Sequence, residues 1–137
     1  MSRLKLDQDD LALSSLMERI TRARVKDCFK DTEVIYFVVA TGEIGKAVGK
    51  NGSNIRKAQE ELGKRIKVIE FKDNAVDFVR SIIYPLAVES ITEDGGIVLV
   101  KDSNKKTKSL LIGRESRNLQ LINRAVKRFY NVEVKVV

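Results

Sequence analysis

A pattern anchored on a glycine occurs twice in this chain, at Gly49 and again 64 residues later at Gly113. This repetition limits the possible folds more than any other feature. Six, nine and thirteen positions after Gly49 stand Ile55, Ala58 and Leu62, and the same steps from Gly113 reach Leu119, Ile122 and Val126. Each glycine is followed at once by a cation, Lys50 or Arg114, and five positions on by an asparagine, Asn54 or Asn118. Val48 or Ile112 precedes it. The apolar positions recur at helical spacing, so each glycine opens onto an amphipathic helix. An internal repeat is the mark of one supersecondary unit used twice.

The elements around each glycine follow from their own patterns. Leu13, Leu16, Met17 and Ile20 share one helix face, with Asp9 or Asp10 placed to cap its start. Residues 25–30 and 33–40 make two strands around Asp31-Thr32, the second holding the most β-prone run, Val34 to Val39. Thr41-Gly42 breaks that strand, a short helix from Ile44 to Val48 enters the glycine loop, and a last strand runs from Ile66 to Phe71. Lys72-Asp73-Asn74 marks the boundary. Beyond it Ala75, Phe78, Val79 and Ile82 form a helix stopped by Pro85. Strands over Leu86–Ile91 and Ile97–Lys101 are expected next, joined by a turn at Glu93-Asp94-Gly95-Gly96. A polar basic stretch, Asp102 to Lys108, an apolar turn at Leu110-Leu111-Ile112, a long helix and a strand from Val132 to Val137 complete the chain. The expected class is α+β, in two domains, 1–72 and 73–137. In each, a three-stranded sheet is packed by helices in the order αββααβ.

The loop Gly49-Lys50-Asn51-Gly52 suggests its own chemistry. Without a Cβ, the chain turns tightly and another backbone can come close. The second glycine opens a helix whose first amides favour an anion, and Lys50 adds a cation. Such a loop beside an apolar wall suits a sugar-phosphate backbone with bases lying on the wall. The bland alternative, a turn between helices that happens to use two glycines, loses ground because the frame is repeated. In the second copy Ser116 replaces the second glycine, where its hydroxyl is expected to cap the helix and its Cβ to limit close approach. Glu115 adds negative charge there. The second copy then either binds more weakly, relying on Lys105, Lys106, Lys108, Arg114 and Arg117, or serves as a structural partner.

Charge follows the same frame. The net charge is +7, with 43% hydrophobic and 33% charged residues, a composition suited to a packed, soluble core. Residues 46–72 carry eight Lys/Arg against three Asp/Glu, and residues 101–137 carry ten against three. Residues 73–100 carry one against five, an acidic stretch suited to docking a protein. Two basic blocks, one at each loop, point to a polyanion.

Other classes of function are excluded on chemistry. There is no histidine and a single cysteine, Cys28, expected in the core, so no metal site, disulfide or histidine-based catalysis is expected. The run Gly45-Lys46-Ala47-Val48-Gly49-Lys50-Asn51 approaches a nucleotide-binding P-loop. It is one residue short between its glycines, and Asn51 stands where a Ser/Thr must hold Mg²⁺. No catalysis, cofactor or small-molecule substrate is expected. The start of the chain is unlike a signal peptide, and its longest apolar run, Val34 to Ala40, is too short for a bilayer. An intracellular, cytoplasmic protein is expected.

The residues Phe37-Val38-Val39, Gly45 through Ile55, and Leu111-Ile112-Gly113-Arg114 resemble a pair of KH domains of the type II order. In particular they resemble the archaeal NusA-type transcription termination and antitermination factors, along nearly the whole chain. The resemblance implies binding of single-stranded RNA, with a loop that clamps about four nucleotides. Ile44, Lys46, Val48, Gly49, Lys50, Asn51, Gly52, Ser53, Ile55, Arg56 and Lys57 would carry it in the first copy. In the second, Lys105, Lys106, Lys108, Gly113, Arg114 and Arg117 would do so. Ile66 and Val68 would help wall the first groove, and Lys64, Arg65 and Lys67 would extend its electrostatic reach. RNA polymerase or another transcription protein is the second partner the resemblance implies. Bacterial relatives carry in addition a polymerase-binding domain and an S1 domain, for which 137 residues leave no room. The competing reading is a scaffold that uses KH folds to contact protein in ribosome assembly or rRNA processing.

Overall fold

The computed structural model describes the backbone of residues 2–137 and the side chains from residue 11 onward. By internal contacts the chain divides into two compact units, the first ending at Phe71 and the second running Lys72–Val137. Each has the same element order. In the first, α1 (Ser2–Thr21) is followed by β1 (Val25–Lys30) and β2 (Val34–Val39), then α2 (Ile44–Val48), a 3-10 turn (Lys50–Gly52), α3 (Ser53–Leu62) and β3 (Arg65–Glu70). In the second, α4 (Ala75–Ile83), β4 (Ser90–Asp94) and β5 (Ile97–Lys101) lead to α5 (Lys105–Ile112), a 3-10 turn (Arg114–Ser116), α6 (Arg117–Lys127) and β6 (Glu133–Val136).

Sheet topology explains where the loops fall. β1 pairs antiparallel with β2, Cys28 facing Phe37, whereas β2 and β3 are parallel, Ile35 facing Ile66 and Phe37 facing Val68. Two parallel neighbours cannot be joined by a hairpin, so the chain must cross over one face of the sheet. The α2–loop–α3 segment is that crossover, and the glycine loop is its bend. On the covered face Met17, Cys28, Ile35, Phe37, Ala58 and Ile66 form a core, with Leu13, Ile20, Ile55, Leu62 and Val68 packed at its margin. The second unit repeats the scheme, β4 antiparallel to β5 and β5 parallel to β6. Phe78, Val98, Leu111, Ala125 and Val126 are fully buried in that unit. There Phe78 meets Phe129 edge to face at 5.4 Å, and the Tyr130 hydroxyl donates to the Lys72 carbonyl.

Several boundaries differ from the sequence expectation. α1 starts at Ser2, so Asp9 and Asp10 lie within it rather than at its cap. β4 occupies Ser90–Asp94 instead of Leu86–Ile91. Its partner β5 ends where Lys101 meets Ser90, leaving 86–89 with no strand opposite. The turn shrinks to Gly95-Gly96, whose φ angles of 58° and 82° are those of a two-residue hairpin bend. The basic stretch is helical. Asn104 caps α5 by accepting from the Thr107 N–H at 3.0 Å, while the buried Asp102 carboxylate accepts from the N–H of Asn104 at 2.8 Å and of Glu89 at 3.2 Å. The expected turn at Leu110–Ile112 is the last turn of that helix.

The repeated asparagine has a structural task in both units. Asn54 Nδ2 donates to the Lys46 carbonyl at 2.7 Å, tying α3 to α2 across the bend. Asn118 Nδ2 donates to the carbonyls of Leu110 and Leu111, both at 3.0 Å. The leading glycine is pressed onto this brace. A Cβ on Gly49 would lie 2.8 Å from the Asn54 backbone nitrogen, and one on Gly113 would lie 2.9 Å from that of Asn118. Gly52 is different: a Cβ there would meet only the tip of Arg56 at 3.6 Å.

These contacts rank the substitutions, with urea denaturation as the measurement. Gly49→Ala collides with backbone and should cost the first unit roughly 2–3 kcal/mol. Gly52→Ala has room and should cost about 1 kcal/mol for its left-handed φ alone. Removing the brace with Asn54→Ala should cost about 1–2 kcal/mol by leaving the Lys46 carbonyl without its donor. Equal losses at Gly49 and Gly52 would refute this packing account.

Candidate nucleic-acid interface

The two loops have one backbone shape built from different residues. Gly49 sits at φ 76°, ψ 169° and Gly113 at 75°, 171°. Asn51 and Glu115 are both left-handed, at φ 55° and 56°. Gly52 at φ 74° is matched by Ser116 at 61°. In each loop the third residue after the glycine donates its N–H back to the glycine carbonyl, Gly52 to Gly49 at 3.1 Å and Ser116 to Gly113 at 3.2 Å. Ser116 thus holds a conformation that costs a serine about 1–2 kcal/mol. Its hydroxyl does not cap α6, contrary to expectation. A residue already in the left-handed region points its side chain away from the helix amides, out of reach of a capping bond.

In the first unit the structure gathers part of the expected set. Lys50, Asn51, Ser53, Arg56 and Lys57 are exposed, and Ile44 is 37% exposed. Arg56 Nη1 donates to the Asn51 carbonyl at 2.6 Å, which lays its guanidinium across the loop with its other donors available to a phosphate. Lys46 is held 3.3 Å from Glu43, whose carboxylate also accepts from the Arg24 N–H at 3.0 Å. That backbone bond first, and Lys46 second, hold Glu43 below the usual carboxylate range, against the opposing effect of burial. Two of the amides expected to meet an anion are engaged inside the loop: Gly52 N–H with Gly49 and Ser53 N–H with the Lys50 carbonyl. The Lys50, Asn51, Ser53 and Arg56 side chains, more than bare amides, are therefore the polar groups this loop exposes. Val48 and Ile55 are half-buried, and Ile55 packs on the core beside Val68. Ile66 is a core residue and not part of a wall. Burial pulls the Lys67 amine below its ordinary range, so it is no freely solvated cation.

The second unit separates what the sequence grouped. Gly113, Arg114 and Arg117 lie at the loop, while Lys105 and Lys106 sit at the far end of α5. At 1.5 Å per residue they are roughly 10–12 Å from Gly113 along the helix axis. Lys105, Lys106 and Lys108 crowd the first turn of a helix that has no acid there. Cations at that end oppose the helix dipole, and the Glu89 carboxylate, held below its usual range first by its bonds from Ser103 and also by Lys101 and Lys108, gives Lys108 an internal counter-charge.

A groove the sequence reading missed lies between α6 and β6, with a volume of about 630 Å³. Ser116, Gln120, Asn123, Arg124 and Lys127 line its helix side, and Glu133 to Val136 its strand side. Lys127 and Glu133 pair at 3.6 Å. The signal was available: positions 116, 120, 123 and 127 are polar at helical spacing, flanking the apolar face.

Comparison with known proteins agrees with this geometry. The sequence profile of the KH domain matches residues 13–84. Relatives named "Probable transcription termination protein NusA" include one from Methanococcus vannielii, 34% identical over 127 residues, spanning 90% of this chain and 72% of the relative. One from Halococcus morrhuae is 29% identical and spans 96% of both chains. The crystal structure of APE1850 is similar at a TM-score of 0.77 and 26% identity, over 95% of this chain and 99% of that one. A KH match over more than half its length, together with relatives along nearly all of it, shows that the chain belongs to the KH-domain family, in its archaeal NusA-type branch.

Proposed function

We propose that this protein binds single-stranded RNA in transcription termination and antitermination, through two type II KH domains, residues 1–72 and 73–137. The observation that carries the reading is the space above Gly52, where nothing but the tip of a flexible arginine lies within 4 Å of a would-be Cβ. Its left-handed φ of 74° favours glycine, and the space left open above it lets a backbone approach from outside. Exposed Lys50, Asn51, Ser53, Arg56 and Lys57 surround that space, and a phosphate among them would gain charge-assisted hydrogen bonds.

Ile44, Lys46, Val48, Gly49, Gly52 and Ile55 complete the first site, with Ile44 and Val48 offering apolar surface to bases. In the second domain Gly113, Arg114 and Arg117 hold the backbone at the loop, while Lys105, Lys106 and Lys108 lengthen its track. No aromatic residue lies in either loop, so recognition rests on phosphate contacts and edge-on contacts in place of aromatic stacking. The relatives' names support transcription as the setting, and RNA polymerase or another transcription protein is the second partner proposed. A protein acting on nascent transcripts belongs in the cytoplasm. The task is binding without catalysis. Among the described residues no helix is long and apolar enough to cross a membrane, and no cluster of His, Cys, Asp and Glu could hold a metal.

Replacing Lys50 and Asn51 together with Asp should weaken binding of single-stranded RNA about tenfold or more, with the melting temperature nearly unchanged because both side chains are exposed. Fluorescence anisotropy beside a thermal melt checks both, and retained affinity would refute the loop assignment. The wild-type chain should also prefer a single strand over a duplex of equal charge. Equal affinities in a competition assay would reduce the interaction to basic attraction.

A further inference from the structure

Each unit carries a second repeated amide, ten positions after its leading glycine: Gln59 in the first and Asn123 in the second. Gln59 Oε1 accepts from the Ile66 N–H at 3.2 Å, and Asn123 Oδ1 accepts from the Val134 N–H at 2.8 Å. Ile66 and Val134 are equivalent, each the second residue of a third strand, opposite Ile35 and Val98. The two clamps differ in grip. Asn123 Nδ2 also donates to the carbonyls of Val134 at 3.1 Å and Leu119 at 3.2 Å, so one short side chain makes two bonds to β6 and a third back to its own helix. Gln59 has one more methylene and the single bond to its strand.

The clamp lies inside the α6–β6 groove. Glu133 and Val137 direct their N–H groups to β5, bonding Gly96 and Val100 at 2.9 Å. Alternation along the strand turns residues 134 and 136 to the groove. Asn123 saturates Val134, leaving Val136 as the outward-facing position beyond it. Hydrogen-bond readout of a base edge demands donors and acceptors fixed to within a few tenths of an ångström, since the bond weakens steeply with angle and distance. Two bonds across the helix–strand gap, from a side chain that a third bond ties to its own helix, fix that gap. One bond on a longer side chain lets it give. The loops diverge in the complementary sense: the first is cationic, whereas Glu115 puts a negative charge into the second.

We propose that Asn123 and Gln59 are positioning residues of the two grooves and that the units divide the work. The second groove, held rigid by Asn123, discriminates among bases. The first, more loosely clamped and ringed by cations, supplies affinity that is nearly indifferent to base. This inference rests on the RNA-binding reading above.

The test uses the full chain and measures affinities for short single strands of A, U or C. Wild type should separate the tightest from the weakest by about tenfold or more. Asn123→Leu should shrink that spread to about threefold or less, and Asn123→Gln, which keeps the amide but lengthens it, should shrink it while leaving the melt within a few degrees. Gln59→Met should weaken all three strands by a common factor and preserve their ratio. A wild-type spread retained in both Asn123 variants, or a ratio altered as much by Gln59→Met, overturns the inference. So does wild-type binding without base preference, which leaves the RNA-binding reading standing. Failure of wild type to bind any of the strands overturns both.

Discussion

The contact between a glycine and the asparagine five residues later is the constraint from which the rest of this structure follows. Parallel pairing of the second and third strands forces a crossover, and the crossover must reverse direction in a few residues over a packed sheet. Gly49 and Gly113 make the reversal possible by lying within 2.8–2.9 Å, in would-be Cβ terms, of the next helix's backbone. Asn54 and Asn118 then bond the preceding helix and lock the bend. With the backbone of so firm a bend already ordered, less ordering cost is met on binding.

On this shared frame the two units diverge where packing allows. The fourth loop position is open in the first unit and carries a side chain in the second, yet both backbones take the same turn. Strain at Ser116 is accepted there without a capping bond in return. Glycine at position 52 meets the left-handed φ without strain and leaves open space above the loop, whereas serine at 116 accepts the same φ and fills that space. The cations follow a similar logic. Those of the first unit surround its loop, and those of the second are spread along α5 and α6.

Much of this was legible in the sequence. Periodicity placed α3, α4 and α6, and β-branched runs placed β1, β2, β3 and β5, because these elements carry most of the buried apolar residues. The repeat made the glycine and the asparagine at offset five visible. Misplaced elements had a different origin. β4 was set too early because the apolar residues 86–88 look like strand, while the true strand, Ser-Ile-Thr-Glu-Asp, is held by pairing with β5 and has a single buried residue, Ile91. α5 was hidden by its lysines, which are poor company for a helix N-terminus, and only the Asp102–Asn104 cap shows why a helix begins there. The amide clamps at Gln59 and Asn123 escaped notice because a glutamine and an asparagine do not match as letters. They match only once both are seen bonding the same place on a strand. Occupation of the Gly52 and Ser53 amides inside the loop was likewise invisible, since a helix start in sequence says nothing about how its first donors are used.

The central claim is that a rigid, glycine-built bend presents side chains to a nucleic-acid backbone. The most direct measurement is a titration of the ¹⁵N-labelled chain with a short single-stranded RNA, following every backbone amide by NMR. The account predicts that the largest shifts fall at residues 49–57, with a second set at 113–120 and along the α6–β6 groove. Shifts confined to the acidic β4–β5 hairpin, or spread evenly over all exposed lysines, would contradict it.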